Sequence, residues 1–336
     1  MGKGRYGRVV VTGGAGFIGS ELVRQLAGQG AAVTIVDNLV TGRRENLRGL
    51  PPAAVTLEVA DVRDLDTLRT IVAGADIVYH LACLGVRHSI HSPIENHDVN
   101  ATATLDLVKV AREGGVRRFV HVSSSEVYGT ARRTPMSERH PTYPTTVYGA
   151  SKLAGECYVR AFHDTYGFPS VVVRPFNAYG PRSHHEGDSG EVIPRMMLRC
   201  LAGWPLVVFG DGRQTRDFTF VSDIARGIML AGISAGAVGE TINLGSGREV
   251  AIKDLAVLIA EVAGAEGTPI ELRPPRPGDV RRLRADASRA NALLGFEPAV
   301  TLRDGLALLR DWYRRSGSAP EELLSQEVER NWEGVG

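Results

Sequence analysis

Tyr148 and Lys152 stand four residues apart in the run Tyr148-Gly149-Ala150-Ser151-Lys152, so on a helix the phenol and the ammonium share one face. That pairing suits removal of a proton from an alcohol. A free phenol has a pKa of about 10, and acting as a base near pH 7 asks for about 4 kcal/mol of preferential stabilisation of the phenolate. One ammonium about 4 Å away, at an effective dielectric of 20, supplies about that much. The small residues beside Tyr148 leave room for reactants. Taken alone, the spacing also fits an ordinary amphipathic helix. It gains weight from Ser123-Ser124-Ser125-Glu126, which follows the apolar run Arg118–Val122. In a parallel sheet the carboxyl ends of strands are where ligands bind.

The elements that must position these groups are legible upstream. Val9–Val11, Val33–Val36, Val55–Val59, Ile77–Leu81, Arg118–Val122 and Ser170–Arg174 read as strands. They are nearly continuous apolar runs, as expected when helices cover both faces. Between them, Phe17–Gly28, Thr104–Arg112 and Tyr148–Tyr166 carry helical periodicity, and Gly114-Gly115 and Gly167 supply helix stops. The alternation predicts an α/β fold, a Rossmann-type doubly wound parallel sheet. Glycine, proline and charge cluster in Asn177–Glu191, Phe209–Asp217 and Pro274–Asp286. These predict a smaller α/β lobe of returning segments. The expected division is 1–175 with a return over about 217–245 for the sheet domain, and 176–216 with 246–336 for the lobe.

Gly13, Gly16 and Gly19 punctuate the turn from the first strand into the first helix. Glycines there permit a tight turn and close approach of a pyrophosphate to a helix N-terminus. Such turns also occur without a ligand. Asp37 closes the second strand, near the offset of about 20 residues expected for a ribose-binding acid. A 2′-phosphate about 4 Å from Asp37 would cost about 1 kcal/mol in water and about 4 at an effective dielectric of 20. The expected cofactor is therefore NAD, not NADP. Arg43 and Arg44 follow closely and read as a solvated loop. Asp61-Val62, after the third strand, is the expected meeting point with adenine.

With 39 basic and 38 acidic residues, the chain offers no electrostatic reason to bind nucleic acid or an anionic membrane. No run is long and apolar enough to span a bilayer. Met1–Arg8 is basic and lacks an apolar signal core, and Cys83, Cys157 and Cys200 form no spacing pattern, so a cytoplasmic protein without disulfides or a zinc site is expected.

The ordered series GGAGFIGS, VDNLVTG, HLA, DVN, SSSEVYG, YGASK, RPFNAYGPR, QTRDFTFV and PRPGDV resembles the extended short-chain dehydrogenases/reductases, in particular the NAD-dependent epimerases and dehydratases, over essentially the whole chain. The resemblance implies Ser124, Tyr148 and Lys152 as catalytic residues, with Glu126 as a further candidate. It implies Gly13, Gly16, Phe17, Ile18, Gly19, Asp37, Asn38, Asp61, Val62, Leu81, Ala82, Asn100, Tyr148 and Lys152 around NAD. Ser125, Asn177, Arg182, Arg216 and Arg276 are implied around a nucleotide-diphosphate sugar; two arginines and an amide suit a diphosphate. Arg281, Arg282 and Arg284 read as surface ion pairs. The loop Cys83–His88 is compact, and in relatives it approaches the sugar. The stretch His184-His185-Glu186-Gly187-Asp188 departs from the common pattern and reads as a polar, substrate-facing loop, not a metal site. Relatives that remove the C5 proton typically carry Asp-Glu after the catalytic hydroxyl, where this chain has Ser125-Glu126. The expected activity is 4-epimerisation of a UDP-hexose or UDP-uronic acid. Dehydration or decarboxylation through Glu126 stands as the alternative, and a dinucleotide sensor without catalysis is a third. A homodimer formed through the helices near 100–113 and 148–166 is also expected.

Overall fold

The apolar runs become strands β1 (Arg8–Thr12), β2 (Ala32–Val36), β3 (Val55–Glu58), β4 (Ile77–His80), β5 (Arg118–Val122) and β6 (Ser170–Pro175) in the computed structural model, which describes residues 6–187, 189–276 and 279–330. Four short strands follow: β7 (Ala178–Tyr179), β8 (Leu206–Phe209), β9 (Thr215–Arg216) and β10 (Thr219–Phe220). The chain then returns to the main sheet as β11 (Thr241–Leu244) before β12 (Val250–Ala251) and β13 (Ile270–Arg273). The main sheet has seven parallel strands in the order β11-β6-β5-β4-β1-β2-β3. The strand order reverses between β1 and β4, which opens a crevice at their carboxyl ends.

The first helices are α1 (Phe17–Gly28), α2 (Leu65–Val72), α3 (His88–His91), α4 (Pro93–His97), α5 (Ala103–Glu113) and α6 (Val147–Tyr166). After them come α7 (Val192–Leu201), α8 (Val221–Ala231), α9 (Ile252–Ala263), α10 (Ser288–Leu294), α11 (Leu302–Arg315) and α12 (Pro320–Leu324). Side chains alternate across each strand and so divide the core. Val9 and Val11 pack with Leu22 and Leu26 of α1 and Ile224 and Ile228 of α8. Val10 points the other way, to Leu68 of α2, Leu107 of α5 and Val159 of α6. A separate apolar cluster joins α7, α9 and α11 through Met197, Leu255, Ile259, Leu306 and Leu309. The short strands pair in twos beside it: β7 with β10, β8 with β13, and β9 with β12.

Helix α6 starts where Thr146 accepts a bond from the Gly149 N–H at 3.1 Å, and ends at Gly167 in the left-handed conformation, φ 63°. Ahead of α5, Asp98–Thr102 forms one turn of π-helix, an element found mostly at functional sites. Among the described residues no helix is long and apolar enough to cross a membrane.

Candidate active site

The glycine-rich turn lies at the switch in strand order. Its hydrogen bonds run from Gly13 N–H to the Val36 carbonyl, 2.8 Å, and from Gly16 N–H to the Gly13 carbonyl, 3.2 Å. Gly16 caps α1 without a side-chain bond, so the first-turn N–H groups stay open to an anion. A Cβ on Gly19 would fall 2.0 Å from the Gly13 carbonyl oxygen, which makes this close approach of helix and turn possible only for glycine. Phe17 contributes differently from its neighbours. Its ring is buried in the cluster that joins α7, α9 and α11, so any part it plays toward a pyrophosphate falls to its backbone.

Asp37 is 7% exposed and accepts bonds from the N–H groups of Ala15 and Leu39, each at 2.9 Å. A cavity beside it is lined by Asp37, Asn38, Asp61, Val62, Ala82 and Leu84. Asn38 donates to Asp61 at 2.9 Å, and the Arg63 guanidinium holds the Asp61 carboxyl far below its usual range. An open helix N-terminus, a buried acid at the strand end and this cavity fit a dinucleotide. Leu81 continues β4 with its N–H on the Thr12 carbonyl, 3.1 Å.

On the other side of the crevice, Ser124 caps the turn Ser125–Tyr128, its hydroxyl accepting from the Glu126 N–H at 3.2 Å. A Cβ on Gly149 would lie 2.7 Å from the Glu126 carbonyl oxygen, so glycine brings the start of α6 against this turn. Burial pushes the Tyr148 phenol far above its usual pKa, and the neighbouring Cys83 and Glu126 add to the rise, while hydrogen bonding with Ser124 opposes it. Lys152 is 1% exposed, and burial lowers its pKa against the pull of Cys83 and Glu156.

The Lys152 charge bears on two buried histidines, His80 and His121. Their rings lie 5.5 Å apart. His80 bonds Thr12 Oγ1 at 2.7 Å and Thr104 Oγ1 at 2.9 Å, and Thr104 donates onward to the Asn100 carbonyl at 2.8 Å. Because the Thr104 proton is committed, His80 Nε2 is the donor and Nδ1 accepts from Thr12. Burial lowers the His80 pKa to about 3, so the ring is neutral. Sequence reasoning missed this pair, since a histidine inside an apolar strand gives no spacing signal.

Glu126 is surrounded by charge. Burial raises its pKa, opposed by Arg216, Arg276 and Arg87, with Asp279 acting in the same direction as burial. Arg216 is bound to Asp279 at 2.6 Å and donates to the Val280 carbonyl at 2.6 Å; Arg276 reaches Asp279 at 3.7 Å. The structure thus brings Glu126, Arg216 and Arg276 together and adds Arg87, which the sequence left within a loop. Ser125 is buried in the same turn. Asn177 donates to the Asp217 carbonyl at 3.2 Å.

Asn100 and Arg182 also have partners within the protein. Asn100 pins the sugar-side loop, exchanging bonds of 2.9 Å with the Leu84 N–H and carbonyl, and its amide reaches Ser151 on α6 at 3.3 Å. Arg182, in the left-handed region at φ 70°, is paired at 2.5 Å with Glu21 of α1, on the cofactor side of the crevice. Arg281 and Arg282 form ion pairs with Asp211 and Glu249, whereas Arg284 donates to the Gly247 carbonyl at 2.8 Å. Among the described residues no three His, Cys, Asp or Glu side chains converge on a metal-sized site. Asp188, Pro277 and Gly278 lie outside the described residues.

Beneath the site, Glu156 follows Lys152 by one turn of α6. It accepts two bonds from Arg174, 2.8 and 2.6 Å, and one from Arg160, 2.9 Å. Arg174 also donates to Tyr128 at 2.8 Å, and Tyr128 donates to Asn243 of β11 at 2.7 Å. This network ties the catalytic helix to the turn bearing Glu126 and to the edge strand.

Comparison with known proteins agrees with this geometry. The family described as GDP-mannose 4,6 dehydratase matches residues 10–309. A UDP-glucose 4-epimerase of Mycolicibacterium smegmatis is 38% identical over 91% of this chain and 98% of its own. A dTDP-glucose 4,6-dehydratase of Actinoplanes is 36% identical over 93% of this chain and 99% of its own. The crystal structure of a Thermus thermophilus UDP-glucose 4-epimerase in complex with NAD superposes with a TM-score of 0.84 at 33% identity, covering 92% of this chain and 99% of that one. The open helix N-terminus, Asp37 and the Tyr148–Lys152 helix thus sit within a chain that belongs to the NAD-dependent epimerase/dehydratase family of extended short-chain dehydrogenases/reductases.

Proposed function

We propose that the protein is a nucleotide-sugar 4-epimerase acting on a UDP-hexose or UDP-uronic acid. Bound NAD supplies the acceptor, and then the donor, of the C4 hydride. Tyr148 takes the 4-hydroxyl proton and later returns it, with Ser124 orienting the phenol. Lys152 is the buried cation of this half of the site, and Arg216, Arg276 and Asn177 hold the diphosphate.

One observation carries the choice of reaction. Removing water across C5 and C6 needs a base and a separate acid. Glu126 can serve as one of them, but the second carboxylate acting on it, Asp279, is bound to Arg216 at 2.6 Å and reached by Arg276 at 3.7 Å. That carboxylate is committed to the two arginines. Epimerisation needs no such pair. Dehydration or decarboxylation remains the second reading because Glu126 is half-buried with a raised pKa, as a general base or acid would be.

Glu126→Gln separates the two. Under epimerisation turnover falls by no more than about tenfold, about 1.4 kcal/mol. A base at C5 would lose about 10²–10⁴-fold. In deuterium oxide the epimerised product carries no carbon-bound label, and label at C5 or C6 together with a collapsed rate sinks the epimerase reading.

We also propose a homodimer built on α5 and α6. Ile90 and Ile94 on the preceding short helices and Val147 at the start of α6 are exposed, at 51%, 74% and 41%. Sedimentation at micromolar concentration is expected to give a dimer; a monomer there rejects the proposal.

A further inference from the structure

Asp37 is not the whole of the device that reads the adenosine ribose. The loop Thr41–Arg43 runs directly over it: a Cβ on Gly42 would lie 2.5 Å from an Asp37 carboxylate oxygen, and the Arg43 N–H donates to the Ala15 carbonyl at 3.0 Å. The long side chain of Arg43 thus starts at the rim of the ribose site. A guanidinium there would be a ready partner for a 2′-phosphate. Its side chain is half exposed, yet it is not without a partner. It is ion-paired with Glu186, contributed by the second lobe from across the crevice.

Glu186 is held firmly for this task. Its other oxygen accepts from the His185 N–H at 2.9 Å and lies 3.2 Å from the His185 ring, and His184 stands 3.8 Å from the first oxygen. Burial works against its charge, yet His184, His185 and Arg43 together bring its pKa down to about 2, so it is ionised at neutral pH. The same arrangement recurs at the next cation along the rim. Arg63, which lines the cavity beside Asp37, is clamped by Asp61 through two bonds of 2.8 Å.

We infer that Glu186 is a cofactor-specificity residue, which neutralises Arg43 and so prevents this arginine from offsetting the repulsion between Asp37 and a 2′-phosphate. Selectivity for NAD then depends on two carboxylates from different lobes: Asp37 repels the phosphate, and Glu186 occupies the cation that would otherwise attract it. A diol ribose makes no demand on Arg43, so removing Glu186 should change NADP binding much more than NAD binding.

The test is binding, independent of which sugar reaction the enzyme performs. NADH and NADPH are titrated by fluorescence into the full-length chain freed of copurified cofactor. The wild-type chain is expected to prefer NADH by about 100-fold. Glu186→Gln should narrow that preference about tenfold by tightening NADPH. Arg43→Ala alone should leave the preference near the wild-type value, and the double variant Arg43→Ala/Glu186→Gln should restore it. Glu186→Ala makes the same charge change if the glutamine variant does not fold. An unchanged ratio on loss of Glu186 overturns the inference. So does a double variant as permissive as Glu186→Gln, which would place the responsible cation elsewhere, for instance at Arg44.

Discussion

Tyr148→Phe is expected to lower turnover about 10²–10⁴-fold, the usual contribution of a positioned proton acceptor. The substitution deletes only the phenolic oxygen and keeps the ring, so the cavity beside Asp37 and the open N-terminus of α1 are untouched and NAD should still bind. The structure sharpens this expectation. Burial raises the phenol's pKa, and hydrogen bonding with Ser124 opposes the rise. Steady-state kinetics and NAD binding on the same preparation decide the matter. Turnover close to wild type removes Tyr148 from the mechanism, whereas loss of NAD binding would show that its role is architectural.

The second large effect is on stability. Arg174→Met should destabilise the fold by about 3–5 kcal/mol, because it strips a fully buried carboxylate of its main partner. Glu156 has no exposed side-chain surface and Arg174 only 4%; Arg160, the other cation bound to Glu156, is 33% exposed. For a chain of this size the loss corresponds to a fall in Tm of roughly 4–7 °C. Replacing both partners, Glu156→Leu with Arg174→Met, should recover much of it, since a buried pair often exchanges for apolar packing at little cost. A single variant within 1 kcal/mol of wild type in denaturant titration would mean that Glu156 finds another partner or takes up a proton.

The sheet was readable from sequence because its strands announce themselves. Val9–Val11 extends by one residue at each end to Arg8–Thr12, and Phe17–Gly28 and Arg118–Val122 are found with the expected limits. Strong periodicity and glycine stops leave little room for alternatives there. The candidate cofactor turn could be named for the same reason, its glycines and Asp37 being local in the chain. What sequence could not reveal is pairing across distance. Asn100 ties the Cys83–His88 loop to α6. Arg182 is paired with Glu21 of α1. Long arginines take whichever acid the tertiary fold presents, and no spacing rule names that acid in advance. Arg87 entered the site in the same way, through a loop whose path depends on Asn96 and Asn100 donating to the Leu84 carbonyl, at 3.0 and 2.9 Å.

The position of β11 has a consequence for how the molecule is made. Every residue of β6 is buried, yet its outer edge is completed only by β11, after the chain has left to form β7 through β10, α7 and α8. During synthesis the edge of β6 stays uncovered until the ribosome has passed Leu244 of the 336 residues. An unpaired apolar strand edge is a template for association with another chain, and a contact of such sequence separation forms late in folding. The nascent sheet thus passes through a long interval in which it resembles an aggregation-prone intermediate. Slowing translation before β11 should lengthen that interval, making chaperone capture of the half-made sheet a natural step in its biogenesis.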